Sequence, residues 1–105
     1  MKKYSENDIV NDVCYLLSYH KLFYWRSNNM PVWDKDHYRA MPKWSKWGVP
    51  DILVVLPSGK FLGIECKTAT GKQSEHQKKF QQECPGYYLL ARNIQEVENF
   101  LQGLI

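Results

Sequence analysis

The chain lacks the cysteine patterns that mark disulfide frameworks and structural zinc sites. Its three cysteines, Cys14, Cys66 and Cys84, are odd in number and include no Cys-x-x-Cys pair. No apolar run approaches the ~18 residues that a membrane span needs. The first residues are charged, unlike the apolar centre of a secretion signal. These absences predict a protein of the reducing cytoplasm, with no membrane partner.

Strong charge, internal repeats and low-complexity tracts are also missing. The formal net charge is +3 and the pI is about 8.7, which permits a nucleic-acid partner without requiring one. No flexible linker divides the 105 residues. Because a chain of this length buries one modest core, residues 1–105 are predicted to form a single domain.

What the chain does contain is a pair of apolar runs with polar residues at one end. Residues 51–56 and 61–64 are rich in β-branched and aliphatic side chains, and residues 57–60 between them supply turn chemistry. This pattern predicts a β-hairpin. Pro50-Asp51 lies where the first strand begins, and Glu65-Cys66-Lys67 lies where the second strand ends.

The alternation of side chains along a strand decides which of these residues meet. Glu65 and Lys67 share one face of the second strand, and Cys66 points the other way. If residues 57–60 alone form the loop, Asp51 falls opposite Cys66 and on the wrong face. We therefore predict a loop with an odd number of residues or a bulge, with Gly59 as the position suited to a positive φ.

Two carboxylates that converge on one face repel each other, and a hard divalent cation with oxygen ligands relieves that repulsion. Asp51 and Glu65 are thus predicted to hold Mg²⁺ or Mn²⁺, and Lys67 to assist phosphodiester hydrolysis by offsetting charge on the phosphate. The structural alternative is that Asp51 caps a strand while Glu65 and Lys67 form an exposed ion pair worth about 0–1 kcal/mol.

These residues also carry a family resemblance. Pro50-Asp51, followed fourteen positions after Asp51 by Glu65-Cys66-Lys67, resembles the PD-(D/E)xK nuclease signature. Further segments resemble the virus-type replication-repair nuclease (VRR-NUC) domain in its standalone phage or bacterial form, over nearly the whole chain. They are Glu6 ahead of Ile9-Val10, Trp25-Arg26-Ser27-Asn28, Met41-Pro42-Lys43, Gly48-Val49-Pro50-Asp51-Ile52, and Gly71 with Ser74-Glu75-His76-Gln77.

The resemblance implies a restriction-endonuclease-like α/β fold and a set of site residues. It implies metal ligands at Glu6, Asp51, Glu65 and the backbone carbonyl of Cys66, with a catalytic lysine and a helix glutamine at Lys67 and Gln77. It further implies a structure-specific endodeoxyribonuclease that acts as a homodimer on branched DNA, such as four-way (Holliday) junctions, in a bacterial or phage-infected cell.

Periodicity and capping patterns give the element order. A helix is predicted over residues 6–20 and a strand over 23–26, followed by the hairpin. Ser74-x-x-Gln77 opens a second helix that stops at Pro85-Gly86, a strand covers 87–91, and Asn93-x-x-Glu96 opens a third helix. The order αβββαβα predicts a mixed sheet with helices on both faces.

Residues 31–47 form a long connection in which aromatic and basic side chains alternate, a mixture suited to stacking on bases and contacting phosphates. DNA contacts are predicted for Arg26, Arg39, Lys43, Trp44 and Lys46. Other aromatic residues of the segment, Trp33 and Trp47, fit the core or a subunit interface equally well. Arg26 fits an ion pair with a nearby acid equally well.

Two further questions stay open at this point. Gln77 can close the capping box of its helix or face the catalytic site. The chain can also be a non-cleaving nucleic-acid-binding module with a purely structural acidic cluster, although Lys67 argues against it, or a general or restriction-type DNA nuclease.

Overall fold

A computed structural model of the protein describes residues 4–27, 33–34, 37–38 and 43–104. The elements in chain order are α1 (Glu6–Tyr19), β1 (Phe23–Arg26), β2 (Trp33–Asp34), β3 (His37–Tyr38), β4 (Ile52–Val55), β5 (Phe61–Cys66), α2 (Glu75–Glu83), β6 (Tyr87–Ala91) and α3 (Ile94–Leu104). The predicted order αβββαβα is confirmed, with the short β2–β3 pair added inside the long connection. No helix in the described part of the chain is long and apolar enough to cross a bilayer.

The main sheet has the strand order β1-β4-β5-β6. β1, β4 and β5 pair antiparallel, and β6 joins β5 in parallel. The sheet is therefore mixed, as predicted. The two-residue strands β2 and β3 pair antiparallel in a separate small sheet.

One face of the main sheet carries the core. β4 and β5 contribute alternate residues to this face, as the period of a strand requires, and α1 and α3 pack against it. The buried apolar residues are Ile9, Val10, Val13, Leu17, Ile52, Val54, Leu56, Leu62, Ile64, Cys66, Ala91, Val97 and Leu101. α2 lies on the other face, where Gln77 bonds to Glu65 and Phe80 contacts Tyr88. Helices thus flank both faces.

The hairpin between β4 and β5 has the irregularity predicted from the sequence. Val55 pairs with Phe61, so five residues, 56–60, form the connection. Within it, the Gly59 N–H donates to the Leu56 carbonyl at 2.7 Å, and Gly59 has φ +89°. Because the loop count is odd, the register that pairs Ile52 with Ile64 places Asp51 across from Glu65.

The helix boundaries follow local capping chemistry. α1 ends at Tyr19, one residue earlier than predicted, because His20 forms its C-cap. The His20 ring contacts the Glu98 carboxylate at 2.7 Å and so ties α1 to α3. α3 begins where predicted, since the Asn93 side chain accepts the Glu96 N–H at 3.0 Å.

Candidate active site

Three acids from three different elements converge at one end of the sheet. Glu6 is the first residue of α1, Asp51 immediately precedes β4, and Glu65 is near the end of β5. One carboxylate oxygen from each of these residues lies within 4.8 Å of the other two. The acidic cluster expected from the sequence is therefore formed, including the contribution of α1.

Glu65 is the buried member of the cluster, with 1% of its surface exposed. Its Oε2 accepts a hydrogen bond from Gln77 Nε2 at 2.9 Å and lies 3.8 Å from Lys67 Nζ. Its Oε1 is buried without a hydrogen-bond partner among the described residues. Burial, and next the negative charge of Asp51, raise the pKa of Glu65 to about 8. The nearby ammonium of Lys67 lowers this pKa but does not offset burial and the charge of Asp51, so without a further cation Glu65 favours its protonated form near neutral pH.

Asp51 is oriented by the strand that carries Glu65. Its Oδ2 accepts the backbone N–H of Cys66 at 2.8 Å. The Cys66 side chain points into the core on the opposite face, as predicted, and burial raises the pKa of its thiol. Cys66 therefore contacts the site through its backbone N–H. The backbone carbonyl, which the family resemblance assigns to metal binding, stays a prediction.

Lys67 is a buried lysine beside the acids, with 9% of its surface exposed. Its backbone N–H donates to the Ala91 carbonyl at 3.0 Å, which extends the pairing of β5 with β6. Its ammonium is on the same face as the Glu65 carboxylate, in agreement with strand alternation. The exposed surface ion pair considered as the structural alternative does not describe this arrangement, because both groups are withdrawn from solvent.

Gln77 performs both of the roles that the sequence left open. Its Oε1 accepts the Ser74 backbone N–H at 2.8 Å, and its own N–H donates to Ser74 Oγ at 3.2 Å, which completes the capping box of α2. The other end of the same amide, Nε2, donates to Glu65. An amide has both an acceptor and a donor, so the two roles do not compete.

Comparison with known proteins identifies the fold. No family model and no curated protein matches the chain. A solved structure described as a VRR_NUC domain matches it with a TM-score of 0.64 and 16% sequence identity, covering 95% of this chain and 97% of that one. The chain has the VRR_NUC fold.

Within the VRR_NUC fold, Gly48, which the sequence analysis quoted without assigning it a role, brings the loop before Asp51 against α2. Gly48 has φ +74°, and a Cβ at this position would lie 2.3 Å from the His76 carbonyl oxygen. The loop before Asp51 thus presses against the start of α2, where Gln77 is anchored. Trp47 reinforces the contact by stacking on the His76 ring, with centroids 5.1 Å apart. The sequence signal for this contact is a glycine directly before Val49-Pro50-Asp51.

The predicted DNA contacts are only partly within the described residues. Trp44 is 88% exposed, and Lys43 Nζ lies 5.0 Å from the centroid of its ring. Lys46 is exposed. Arg26 is also exposed, and its Nη2 donates to Asn7 Oδ1 at 2.7 Å, so the partner found among the described residues is a neutral amide. Arg39 lies outside the described residues.

Of the two tryptophans for which core or interface packing was considered, one is placed by the structure. Trp47 is about half exposed and stacked on His76, so it is not part of the buried core. For Trp33 the structure describes the strand β2 and not the side chain. Among the other described aromatic and basic side chains of the segment, Lys43, Trp44 and Lys46 lie on the surface.

Proposed function

We propose that the protein is a divalent-metal-dependent endodeoxyribonuclease that hydrolyses phosphodiester bonds in branched DNA. The proposal is carried by one observation: carboxylate oxygens of Glu6, Asp51 and Glu65 lie within 4.8 Å of one another, beside the buried ammonium of Lys67. Negative charge concentrated in this way is unfavourable unless a cation is bound, and nuclease chemistry needs that cation.

The residues present fit a hard divalent cation. The ligand atoms are carboxylate oxygens, the donors that Mg²⁺ and Mn²⁺ prefer, and Glu65 Oε1 has no hydrogen bond among the described residues that a cation would have to displace. Glu6, Asp51 and Glu65 would hold the ion, with the carbonyl of Cys66 as a further ligand. When bound, it would polarise a phosphoryl oxygen and lower the pKa of water.

The chain's own groups supply positioning and charge. The Cys66 N–H fixes the Asp51 carboxylate, and the Gln77 amide fixes Glu65. Lys67 supplies a cation at the place where negative charge develops on the phosphate, and its burial strengthens that interaction relative to water. Its ammonium can also orient the attacking water. The catalytic residues we propose are Asp51, Glu65, Lys67 and Gln77.

We place the DNA backbone and bases on the aromatic and basic residues for which DNA contacts were predicted from the sequence. Trp44 offers an exposed ring for stacking, and Lys43, Lys46, Arg26 and Arg39 are assigned to phosphates.

Branched DNA as the substrate, and a homodimer as the active form, rest on the family resemblance of the motifs. A 105-residue domain has little surface for a four-way junction. A dimer with two-fold symmetry doubles the footprint and matches the symmetry of that substrate.

The test is a cleavage assay with labelled linear duplex, flap and four-way junction DNA, in Mn²⁺, Mg²⁺ or chelator. Lys67→Ala should abolish cutting while leaving binding of the junction intact, because the ammonium acts on the reacting phosphate. Lys60→Ala is the matched control, since Lys60 lies in the 56–60 connection beyond the opposite ends of β4 and β5. It should cut like the wild type.

Each outcome selects one function. Cleavage confined to the junction supports the branched-DNA proposal, and cleavage of all three substrates supports a general nuclease. Binding without cleavage in either metal identifies a non-cleaving module. Equal cleavage by the wild type and Lys67→Ala means that the site is wrong.

A further inference from the structure

The residues that follow Lys67 form a tight turn against its side chain. Within the turn of residues 68–71, the Gly71 N–H donates to the Thr68 carbonyl at 3.1 Å. A Cβ at Gly71 would lie 3.4 Å from Lys67 Cδ, which is ordinary contact distance. The backbone of the 68–71 turn therefore lies beside the aliphatic stem of Lys67.

Arg92 holds this turn closed from the end of β6. Its Nη1 donates to the Thr68 carbonyl at 2.5 Å and to the Gly71 carbonyl at 2.9 Å, so one nitrogen joins both ends of the turn. Hydrogen bonds from a guanidinium are the strong, charge-assisted kind. The contact is partly buried, which limits competition from water.

The backbone of Arg92 is itself fixed. Its N–H donates to Glu96 Oε1 at 2.6 Å, in the first turn of α3. The preceding residue, Ala91, is buried and accepts the backbone N–H of Lys67. The end of β6 thus contacts Lys67 in two ways. Ala91 accepts its backbone N–H, and Arg92 closes the turn that lies beside its aliphatic stem.

We propose that Arg92 is a positioning residue for Lys67. It acts through the 68–71 turn, which confines the flexible stem of Lys67 so that its ammonium stays beside Glu65. A lysine has many rotamers, and an unconfined one spends little time in a single geometry. The proposal deepens the nuclease function and rests on it only for the consequence in catalysis. The placement of Lys67 by Arg92 can be tested without DNA or metal.

The test measures how fast the Lys67 amine reacts with limiting acetic anhydride in the metal-free protein, by mass spectrometry. Lys60, which is exposed, serves as the internal reference. Arg92→Met removes both donors, and the Lys67 to Lys60 ratio should rise severalfold. Arg92→Gln should give an intermediate rise, and Arg92→Lys, which retains a cationic donor, should return the ratio close to that of the wild type.

Whether acetylation of Lys67 becomes faster or slower distinguishes release of the Lys67 side chain from the loss of the Arg92 charge. Removing a neighbouring positive charge favours the protonated form of an amine, which does not react. Loss of the Arg92 charge alone would therefore slow acetylation of Lys67. A faster reaction reports that the stem has been uncovered.

His20→Ala is the matched control, because it removes the hydrogen bond that ties α1 to α3 and leaves the 68–71 turn intact. It should leave the Lys67 ratio unchanged while lowering stability. An unchanged ratio in Arg92→Met, or an equal rise in His20→Ala, would overturn the proposal. Arg92→Gln gives the same decision if Arg92→Met does not fold.

Cleavage provides the second readout. If the protein is a nuclease, Arg92→Met should lower kcat about tenfold with little change in KM, as expected of a lost transition-state contact. Arg92→Lys should recover most of the rate. If the wild type does not cleave DNA but Lys67 acetylation still responds to Arg92, the nuclease function fails and the positioning role stands.

Discussion

Helices α1 and α2 both begin with a capping box, but the residue that closes the box is a carboxylate in α1 and an amide in α2. At α1, Asp8 Oδ2 accepts the Ser5 N–H at 2.8 Å; at α2, Gln77 Oε1 accepts the Ser74 N–H at the same distance. In return, the backbone N–H of Asp8 donates to Ser5 Oγ and that of Gln77 donates to Ser74 Oγ, and both hydrogen bonds measure 3.2 Å. The carboxylate that closes the first box can only accept. The amide that closes the second also donates, and Glu65 receives that bond.

The comparison teaches that a local motif can start a helix and serve a distant site with one side chain. Both boxes are set by sequence-local geometry, so both could be expected from residue spacing. The chemical type of the closing residue then decides its further use. α1 contributes to the acidic cluster through Glu6, the residue after its cap, and α2 contributes through the closing residue itself.

Within this comparison, the largest expected effect comes from giving the capping box of α2 an acidic closing residue, like that of α1. Gln77→Glu keeps an acceptor for Ser74 but replaces the donor to Glu65 with a like charge. A hydrogen bond to a charged group contributes about 1.5–3 kcal/mol, so single-turnover cleavage of a junction should fall about ten- to hundredfold.

The reciprocal change, Asp8→Asn, is the control for that prediction. It keeps an acceptor for the Ser5 N–H and adds a donor at α1, which serves no predicted step. Its cleavage rate should match that of the wild type. A wild-type rate in Gln77→Glu would contradict the role of the amide at Glu65.

The next prediction concerns the contact between Gly48 and the start of α2, where the capping box lies. In Gly48→Ala the new Cβ would lie 2.3 Å from the His76 carbonyl oxygen, in a backbone conformation with φ +74°. The start of α2 must move, and Gln77 moves with it. We expect a loss of about 1–3 kcal/mol in stability and about a tenfold slower cleavage.

Gly59→Ala separates strain from displacement. Gly59 also has a positive φ, +89°, but a Cβ there has no neighbour within 4 Å. Thermal unfolding should show a loss of about 1–2 kcal/mol from the left-handed backbone alone, with no change in cleavage rate. Equal loss of cleavage in both glycine variants would show that displacement of α2 is not the cause.

A pH-dependent effect on stability is expected from Glu65, the acid that accepts the hydrogen bond from Gln77 Nε2. Burial, followed by the charge of Asp51, raises the pKa of Glu65 from 4.5 to about 8 in the folded protein. The folded state therefore binds a proton more tightly than the unfolded state. The stabilisation is fully present below pH 4.5 and is lost as pH rises through about 8.

Thermal melts of the metal-free protein in chelator should follow that direction. The contribution of Glu65 appears as the difference between the wild type and Glu65→Gln, whose amide does not titrate. Relative to Glu65→Gln, the wild type should lose stability as pH rises from 4.5 toward 8. Parallel pH profiles for the two proteins would contradict the raised pKa.

The smallest effect concerns the serines. Ser5→Ala and Ser74→Ala each remove one capping oxygen, and each should cost about 1 kcal/mol in the free energy of unfolding. Only Ser74→Ala should also slow cleavage, by a few-fold, because it loosens the residue that fixes Glu65. Equal cleavage rates for the two variants would mean that the capping of α2 does not influence the site.

Much of the site was predictable because it depends on local rules. Strand alternation places Glu65 and Lys67 on one face, and an odd loop with a positive φ at Gly59 moves Asp51 onto it. Helix and strand boundaries came from caps and periodicity, and α1 differed from its predicted end by one residue. The acid of α1 was expected from the family resemblance alone, since nothing in its local spacing connects it to the hairpin.

The residues that were missed share a different property. Gly48 and Arg92 act through backbone carbonyls of segments far along the chain, at His76 and at the 68–71 turn. A carbonyl is present in every residue, so sequence spacing carries no sign of which one will be contacted. The sequence suggested each of the two roles of Gln77 separately. It did not show that one side chain fills both, because that depends on the distance from its amide to Glu65.

The sequence by itself determined the order of the helices and main-sheet strands and the shared face of Glu65 and Lys67, because both follow from backbone geometry within a few residues. The register that puts Asp51 across from Glu65 was predicted only as an odd loop or a bulge, and the structure decided between them. Tertiary packing alone decided that Glu65 is buried beside a second and a third carboxylate, and that Lys67 is confined by a turn closed from β6. Burial and the approach of distant charges set the electrostatics of the site, and both arise only when α1, α2 and the sheet are packed together.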